Sequence, residues 1–419
     1  MGKKRAIILG LGKSGRSAAS FLLDEGASVL GIDRNAASLK EDPEIAPLLE
    51  RAFLLQDENS PLSFEEVDCV IKSPGIYPTH PLVVRAAAEG KLMDEIDLGS
   101  RFLSQKGKKL FAITGTNGKT TTTALVTHIF NEAGLKAVSC GNIGNPILQE
   151  ASLQELADYY IVEISSFQLW AMRERHFDAG VILNISPNHL DWHGSFSDYA
   201  NTKWSLKERI KEEGVFFPPA SFGKEIEERV ESILSLGYRD GERSLRLGGQ
   251  ENIKAALALC QMAGIEDEAF YAGLNSFKKP PHRLEFVREK DGVSYINDSK
   301  ATTIKAVEHA VTVCNAPLIL IAGGIHKGDD FKKWIPLFRQ KVKKIFAMGK
   351  DKGKIALALQ NEVEVELVSD LHEAVALASK FAISGDTVLL SPGCSSFDEF
   401  RSYEHRGEVF RSIVDGAEV

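Results

Sequence analysis

Cysteine is scarce in this chain and poorly placed for covalent or metal chemistry. Cys69, Cys140, Cys260, Cys314 and Cys394 are scattered through 419 residues, odd in number and without a Cys-x-x-Cys pair. That argues against a disulfide framework and for buried, reduced thiols. No uninterrupted apolar run is long enough to span a bilayer. An excess of positive charge is also missing: 50 Lys and Arg against 58 Asp and Glu leave a net charge of −8. No overall field therefore draws the protein to nucleic acid or an anionic membrane. The opening Met1-Gly-Lys-Lys-Arg-Ala-Ile-Ile-Leu-Gly superficially resembles a signal peptide, but Lys13 and Arg16 break its apolar run. Ala6 stands where a myristoylation signal needs Ser or Thr. Internal repeats and low-complexity tracts are absent. The expectation is a cytoplasmic monomer that engages neither nucleic acid nor membrane.

What is present is an alternation of short apolar runs, glycine turns and helical patterns. Hydrophobic content of 43% is ordinary for a globular protein. The length predicts two or three domains, and the punctuation places them at 1–97, 98–279 and 280–419. Residues Arg5–Leu9 read as a buried strand, followed by Gly10-Leu-Gly12-Lys-Ser-Gly15, a helix through Glu25, and a strand Ser28–Ile32 ending at Asp33. This is the dinucleotide-binding fingerprint, with an acid 18 residues after the third glycine. A third strand, Val67–Ile71, runs into Ser73-Pro-Gly-Ile76, a ligand-side loop or simply a Pro-Gly turn. The segment Arg101–Lys109 reads as a linker.

The stretch Phe111-Ala-Ile-Thr-Gly-Thr-Asn-Gly-Lys119-Thr120 is a strand, a glycine turn and a helix start. Backbone N–H groups and the positive helix end make a socket for phosphate there. Lys119 would add charge over the terminal phosphates, and Thr120 could ligate magnesium. Only Thr116 and Asn117 separate Gly115 from Gly118, whereas the usual phosphate loop has four intervening residues, so an ordinary glycine turn fits as well. Strand Tyr159–Glu163 ends in a carboxylate that could serve a hard cation. Strand Val181–Ile185 feeds Ser-Pro-Asn-His189-Leu-Asp191-Trp-His193. Lys203 lies in a helical pattern and reads as a solvated lysine. Ile253–Ala263 reads as an amphipathic helix, and Pro280-Pro281 marks a boundary. Beyond it, strands Val293–Ile296, Leu318–Ala322, Lys344–Met348 and Thr387–Leu390 alternate with helices, predicting a third parallel α/β unit.

Together, Thr114-Gly-Thr-Asn-Gly-Lys-Thr120, Glu163-Ile-Ser-Ser-Phe-Gln168, Asn184-Ile-Ser-Pro-Asn-His189-Leu-Asp, Pro281-His-Arg283-Leu-Glu and Asn297-Asp-Ser-Lys-Ala-Thr302 resemble the Mur ligase family. So does the late segment Leu390-Ser-Pro-Gly-Cys-Ser-Ser396-Phe-Asp-Glu-Phe-Arg-Ser-Tyr403. The resemblance runs through essentially the whole chain in order. It implies three α/β domains: a Rossmann-like amino-terminal one, a central phosphate-loop ATPase-like parallel sheet, and a Rossmann-like carboxyl-terminal one. The implied activity is ATP-dependent amide ligation in peptidoglycan precursor synthesis, joining D-glutamate to UDP-N-acetylmuramoyl-L-alanine through an acyl phosphate.

The resemblance also implies roles. Gly115, Thr116, Asn117, Gly118, Lys119, Thr120, Thr121, Asn252, Arg283 and Asp298 would hold ATP, with Glu251 and Ala255 departing from the family pattern around Asn252. Lys13, Ser14, Asp33, Arg34, Ser73, Gly75, Asn142, Gln168 and His189 would hold the UDP-sugar. Lys300, Thr302, Lys327, Ser396, Phe397 and Tyr403 would hold D-glutamate. Thr120, Glu163, His189 and Lys203 would bind magnesium (or manganese), with Lys203 carrying a carbamate. Lys119, Glu163, His189, Lys203 and Arg283 would carry the chemistry. The competing readings are a nicotinamide-dependent oxidoreductase, resting on Gly10–Gly15 and Asp33, and a ligase of the same superfamily that adds another amino acid.

Overall fold

Runs of branched apolar residues closed by glycine set the strands of three sheets, each backed by helices. A computed structural model describes residues 4–51, 53–59, 64, 66–219, 221–233, 250–278, 281–314, 316–326 and 330–416. The chain forms two compact units, Met1–Lys278 and Lys279–Val419. The first unit holds two five-stranded sheets and the second a six-stranded sheet. Among the described residues, no helix is long and apolar enough to cross a membrane.

The first sheet contains β1 (Arg5–Leu9), β2 (Ser28–Ile32), β3 (Phe53–Gln56), β4 (Cys69–Lys72) and β5 (Leu92–Met93). All pair parallel in the order β3-β2-β1-β4-β5. The chain moves outward from β1 on one side and returns to its other side at β4. The loops after β1 and β4 therefore face each other at a switch point, where open parallel sheets bind ligands. The two loops interlock: Ser73 Oγ donates to the Gly10 carbonyl at 2.6 Å, and a Cβ at Gly15 would sit 2.0 Å from that same oxygen. Gly15 has no room to be anything else.

The second sheet contains β6 (Lys109–Thr114), β7 (Ala137–Gly141), β8 (Tyr159–Glu163), β9 (Phe177–Ile182) and β10 (Ile210–Phe217). Its parallel order is β10-β9-β6-β8-β7. Central β6 aligns Ile113 with Glu163 on one side and Val181 on the other. Its switch point thus gathers the ends of β6, β8 and β9. The expected strand Val181–Ile185 is displaced toward the amino terminus: pairing starts at Phe177, and the chain leaves the sheet after Ile182. Charged Lys211, Glu212 and Glu213 sit on edge strand β10, where such residues discourage further pairing.

The expected linker Arg101–Lys109 is instead largely helical, as part of Glu95–Gln105. Asp94 caps that helix by accepting from Ile96 N, and Glu95, Ile96, Asp97, Gly99 and Leu103 are buried. The acids interrupt the apolar spacing that would have revealed a helix. Glu95 is held because its carboxylate accepts from Leu148 N at 2.9 Å, and Asp97 accepts from Arg173 N at 2.8 Å. Both bonds tie the helix to the central sheet's layer.

In the second unit, β11 (Glu285–Lys290), β12 (Val293–Asn297), β13 (Leu318–Gly323), β14 (Val342–Met348), β15 (Glu364–Leu367) and β16 (Thr387–Leu390) run in the order β11-β12-β16-β13-β14-β15. The expectation of an all-parallel unit fails at one edge. A tight turn at Asp291-Gly292, with φ of 55° and 75°, folds β11 back antiparallel onto β12. Fully apolar β13 lies at the centre, buried on both faces.

Candidate active site

Two helices at the switch points of the first unit begin without a side-chain cap. Gly12 precedes the Lys13–Asp24 helix and Gly118 precedes the Lys119–Glu132 helix; neither offers a side chain to the first-turn N–H groups. Uncapped amino-terminal N–H groups are a ready anion site. Gly118 takes φ of 83°, and a Cβ there would lie 2.4 Å from Asn252 Oδ1. The glycine is required twice, by its backbone and by Asn252 packed against it.

Around the second loop, polar groups converge on a pocket of about 150 Å³ lined by Gly115, Thr116, Lys119, Asn142, His189 and Lys203, among others. Thr116 is buried and mostly structural: its hydroxyl bonds Tyr199 OH at 2.8 Å and accepts from Ser186 N at 3.0 Å. Asn117 N donates to Asn184 Oδ1. Lys119 Nζ donates back to the Gly115 and Thr116 carbonyls, both at 3.0 Å, which holds the ammonium over the loop. Thr120 is buried in the first turn, with Thr121 half-buried beside it.

Glu163, at the end of β8, is 1% exposed. Its Oε1 accepts from Asn142 Nδ2 at 2.7 Å, while Oε2 is buried without a hydrogen-bond partner. A carboxylate oxygen so placed wants a donor or a cation. Lys203, read from its helix as solvated, is 1% exposed. Its Nζ donates to Thr114 Oγ1 at 3.1 Å and lies 5.2 Å from the Tyr199 ring centre. Burial drives its pKa well below the usual lysine value, Lys119 pushes the same way, and Glu163 opposes them. The helix periodicity was right, but it could not say which face was inward.

His189 opens a short helical turn in the left-handed conformation, φ 52°, with its ring 4.7 Å from that of Phe167. His193, from the same turn, bonds Ser166 Oγ at 3.0 Å. Among the described residues, no three His, Cys, Asp or Glu side chains converge to hold a metal ion.

At the first switch point the expected ligands are partly committed to the protein. Asp33 accepts from Leu11 N and Asn35 N, both at 2.9 Å, and so shapes the Gly10–Gly15 loop. Lys13 Nζ reaches across to the Gly144 carbonyl at 2.7 Å, joining this loop to the one that carries Asn142. Ser14 lies in the first turn of the uncapped helix, and Arg34 and Gly75 are exposed. Gln168 is buried in a capping box, with Oε1 accepting from Ser165 N and Oγ. Its carbonyl oxygen is thereby used within the protein.

In the second unit, Asp298 accepts from Leu284 N at 3.1 Å and Ser391 Oγ at 2.9 Å. Arg283 Nε is buried without a hydrogen-bond partner. Lys300 Nζ lies 5.1 Å from the Tyr403 ring centre, and burial raises the Tyr403 phenol pKa. Ile325 and Ser395 pair across an antiparallel bridge, setting the turn after β13 beside Ser396. Ser396 is buried, Phe397 is 72% exposed, and Thr302 is half-buried. Lys327 lies outside the described residues.

Comparison with known proteins follows the same order along the chain. Residues 4–93 match the Mur ligase MurD-like N-terminal domain, 113–255 the Mur ligase middle domain, and 282–394 the Mur ligase glutamate ligase domain. The UDP-N-acetylmuramoylalanine--D-glutamate ligase of Protochlamydia amoebophila is 38% identical, covering 98% of both chains. The enzyme of that name from Chlamydia muridarum is 40% identical over the full length of both. Among solved structures, MurF ligase from Thermotoga maritima in complex with ADP aligns with a TM-score of 0.54 at 13% identity, covering 99% of this chain and 96% of that one. The UDP-N-acetylmuramate-alanine ligase MurC of the same organism aligns at 0.52 with 16% identity over all of both chains. At such identity these structures speak to fold alone.

Proposed function

The chain belongs to the Mur ligase family, and we propose that it joins D-glutamate to UDP-N-acetylmuramoyl-L-alanine, converting ATP to ADP and phosphate. The observation that carries this reading is the pocket lined by Lys119, Lys203 and Asn142 at a glycine loop, with Asn142 bonded to Glu163, whose Oε2 is buried without a hydrogen-bond partner. An oxidoreductase would have no use for that arrangement.

The uncapped first turn at Gly118–Thr121 takes the ATP phosphates, with Asn252 beside it. Lys119 neutralises charge as the γ-phosphoryl group moves to the carboxylate of the sugar nucleotide, and Arg283 is assigned the same role. A carboxylate oxygen attacks phosphorus, ADP leaves, and the acyl phosphate that results is a reactive electrophile. The amine of D-glutamate attacks the acyl carbon, gives up its proton, and phosphate departs. Thr120, Glu163, His189 and Lys203 would hold a divalent cation, magnesium or manganese, which supplies charge neutralisation between phosphate and carboxylate. The protein's own oxygen donors are few, which suits magnesium, a cation usually held by one or two carboxylates together with phosphate oxygens. Lys203 would join that set as a carbamate: its neutral amine adds to carbon dioxide and releases a proton. Burial favours the neutral amine this requires.

The Gly10–Gly15 and Ser73–Ile76 loops, with Asp33, Arg34, Asn142 and Gln168, take the UDP-sugar. Lys300, Thr302, Lys327, Ser396, Phe397 and Tyr403 take D-glutamate, and Asp298 meets the ATP ribose. The protein works as a monomer in the cytoplasm, in three domains at 1–97, 98–279 and 280–419. Titration with NADH and with UDP-N-acetylmuramoyl-L-alanine tests the nucleotide assignment. Binding of the UDP-sugar alone is expected; binding of NADH without any response to the UDP-sugar would overturn it.

A further inference from the structure

Lys72, the last residue of β4, is fully buried at 0% exposure. Removing an ammonium from water is costly unless other groups replace its hydration. Here the replacements are backbone carbonyls: Nζ donates to Ser73 O at 3.1 Å, Pro74 O at 3.4 Å and Ile76 O at 3.1 Å. Three carbonyls of one four-residue loop thus turn inward onto a single cation. The same loop is locked to the Gly10 loop through Ser73. Above the ammonium lies the Trp192 indole, 5.4 Å from Nζ to the ring centre, a favourable placement for a desolvated cation. Tyr77 flanks that indole with ring centres 6.5 Å apart.

Trp192 belongs to the turn that begins at His189, and its ring lies 4.9 Å from Phe167, itself 4.7 Å from His189. One line of contacts therefore runs from the Ser73–Ile76 loop of the first sheet to the His189 turn of the second. Burial lowers the lysine pKa to about 8, with Asp94 opposing. A hydrocarbon of similar length would fill the space but take a donor from all three carbonyls, of which Ser73 O keeps its bond from Ile76 N, and the loop would reopen toward water.

We infer that Lys72 is a positioning residue of the sugar-nucleotide site: it holds the Ser73–Ile76 loop in its binding shape and, through Trp192, sets that loop against the His189 turn. This rests on the reading that the loop faces the UDP-sugar. The test uses the full chain with Lys72→Met and Lys72→Arg, measuring KM for UDP-N-acetylmuramoyl-L-alanine and for ATP, and calorimetric affinity for UDP without turnover. The UDP titration reads the loop even if the amino acid has been assigned wrongly. Lys72→Met is expected to raise KM for the UDP-sugar and weaken UDP about tenfold, with KM for ATP within about twofold. Lys72→Arg, which keeps charge and donors, recovers most of that loss. Unchanged UDP affinity in Lys72→Met, or an equal rise in both KM values, would overturn the proposal. Should Lys72→Met fail to fold, Lys72→Gln takes its place. UDP binding at least about fivefold tighter in Lys72→Arg than in Lys72→Gln supports the role, and equal binding refutes it.

Discussion

The first unit contains two versions of one local design, and they differ in what surrounds them. Each central strand ends in a glycine turn that feeds an uncapped helix, at Gly10–Gly15 and at Gly115–Thr120. Around the first, the nearby charges serve the protein itself: Asp33 shapes the loop, Lys13 reaches Gly144, and Lys72 gathers carbonyls. Around the second, Glu163 keeps a buried oxygen without a partner and Lys203 is buried as a depressed-pKa amine. On the proposed function, the first holds the UDP-sugar. On the same reading, the second sets a buried carboxylate oxygen and a buried amine beside the ATP phosphates, where phosphoryl transfer takes place. A glycine motif thus identifies a phosphate-binding shape, and its neighbours decide whether chemistry follows.

Substitutions should separate the two loops. Lys119→Ala should lower phosphate release by about a thousandfold or more while leaving calorimetric affinity for the UDP-sugar intact; retained turnover would remove this loop from the chemistry. Lys203→Ala should cost about a hundredfold in kcat and regain part of it when short carboxylic acids are added in place of the carbamate. Parental activity in Lys203→Ala would return it to an ordinary buried helix lysine.

Both loops are carried on one unit, in which Glu95 ties the connecting helix to the central layer. Burial raises its carboxyl pKa from 4.5 to about 7. The folded state then holds this proton more tightly than the unfolded chain, so stability falls as pH rises from about 4.5 through 7. Glu95→Gln keeps an acceptor for Leu148 N without the charge. Thermal unfolding should show it more stable than the parent at pH 8, by about 1–3 kcal/mol, with the difference fading near pH 4.5. A parent that is the more stable at pH 8 contradicts this. The smallest effect belongs to Lys13→Met, which removes an exposed contact to Gly144 and should shift KM for the UDP-sugar by only about two- to threefold. A change as large as that of Lys119→Ala would erase the contrast between the loops.

Much of this was legible in the residues. Strands β1, β2, β8 and β16 lie where branched apolar runs end in glycine, serine or an acid, because strand ends and turn chemistry share one signal. Less legible was anything that depended on which way a side chain faces. Lys203 and Lys72 both look solvent-bound on polarity alone, and both are buried, since the groups that receive them lie far away in sequence or in backbone carbonyls that carry no residue identity. Buried Glu95 and Asp97 hid a helix for the same reason. The antiparallel β11 escaped because a turn at Asp291-Gly292 states that the chain reverses only if strands are already assigned on both sides. Family resemblance reached Lys203 and Ser396, but not Lys72, whose role follows from three carbonyls and an indole.

The central claim is that the chain, with ATP on the second loop, joins a UDP-sugar to a D-amino acid. The most direct measurement is phosphate release by the full chain with UDP-N-acetylmuramoyl-L-alanine, ATP and magnesium, comparing D-glutamate with L-alanine, L-glutamate and a diamino acid. Release that requires the UDP-sugar and responds to D-glutamate alone is the predicted result. Release with L-alanine but not with D-glutamate, or release independent of the UDP-sugar, would contradict it.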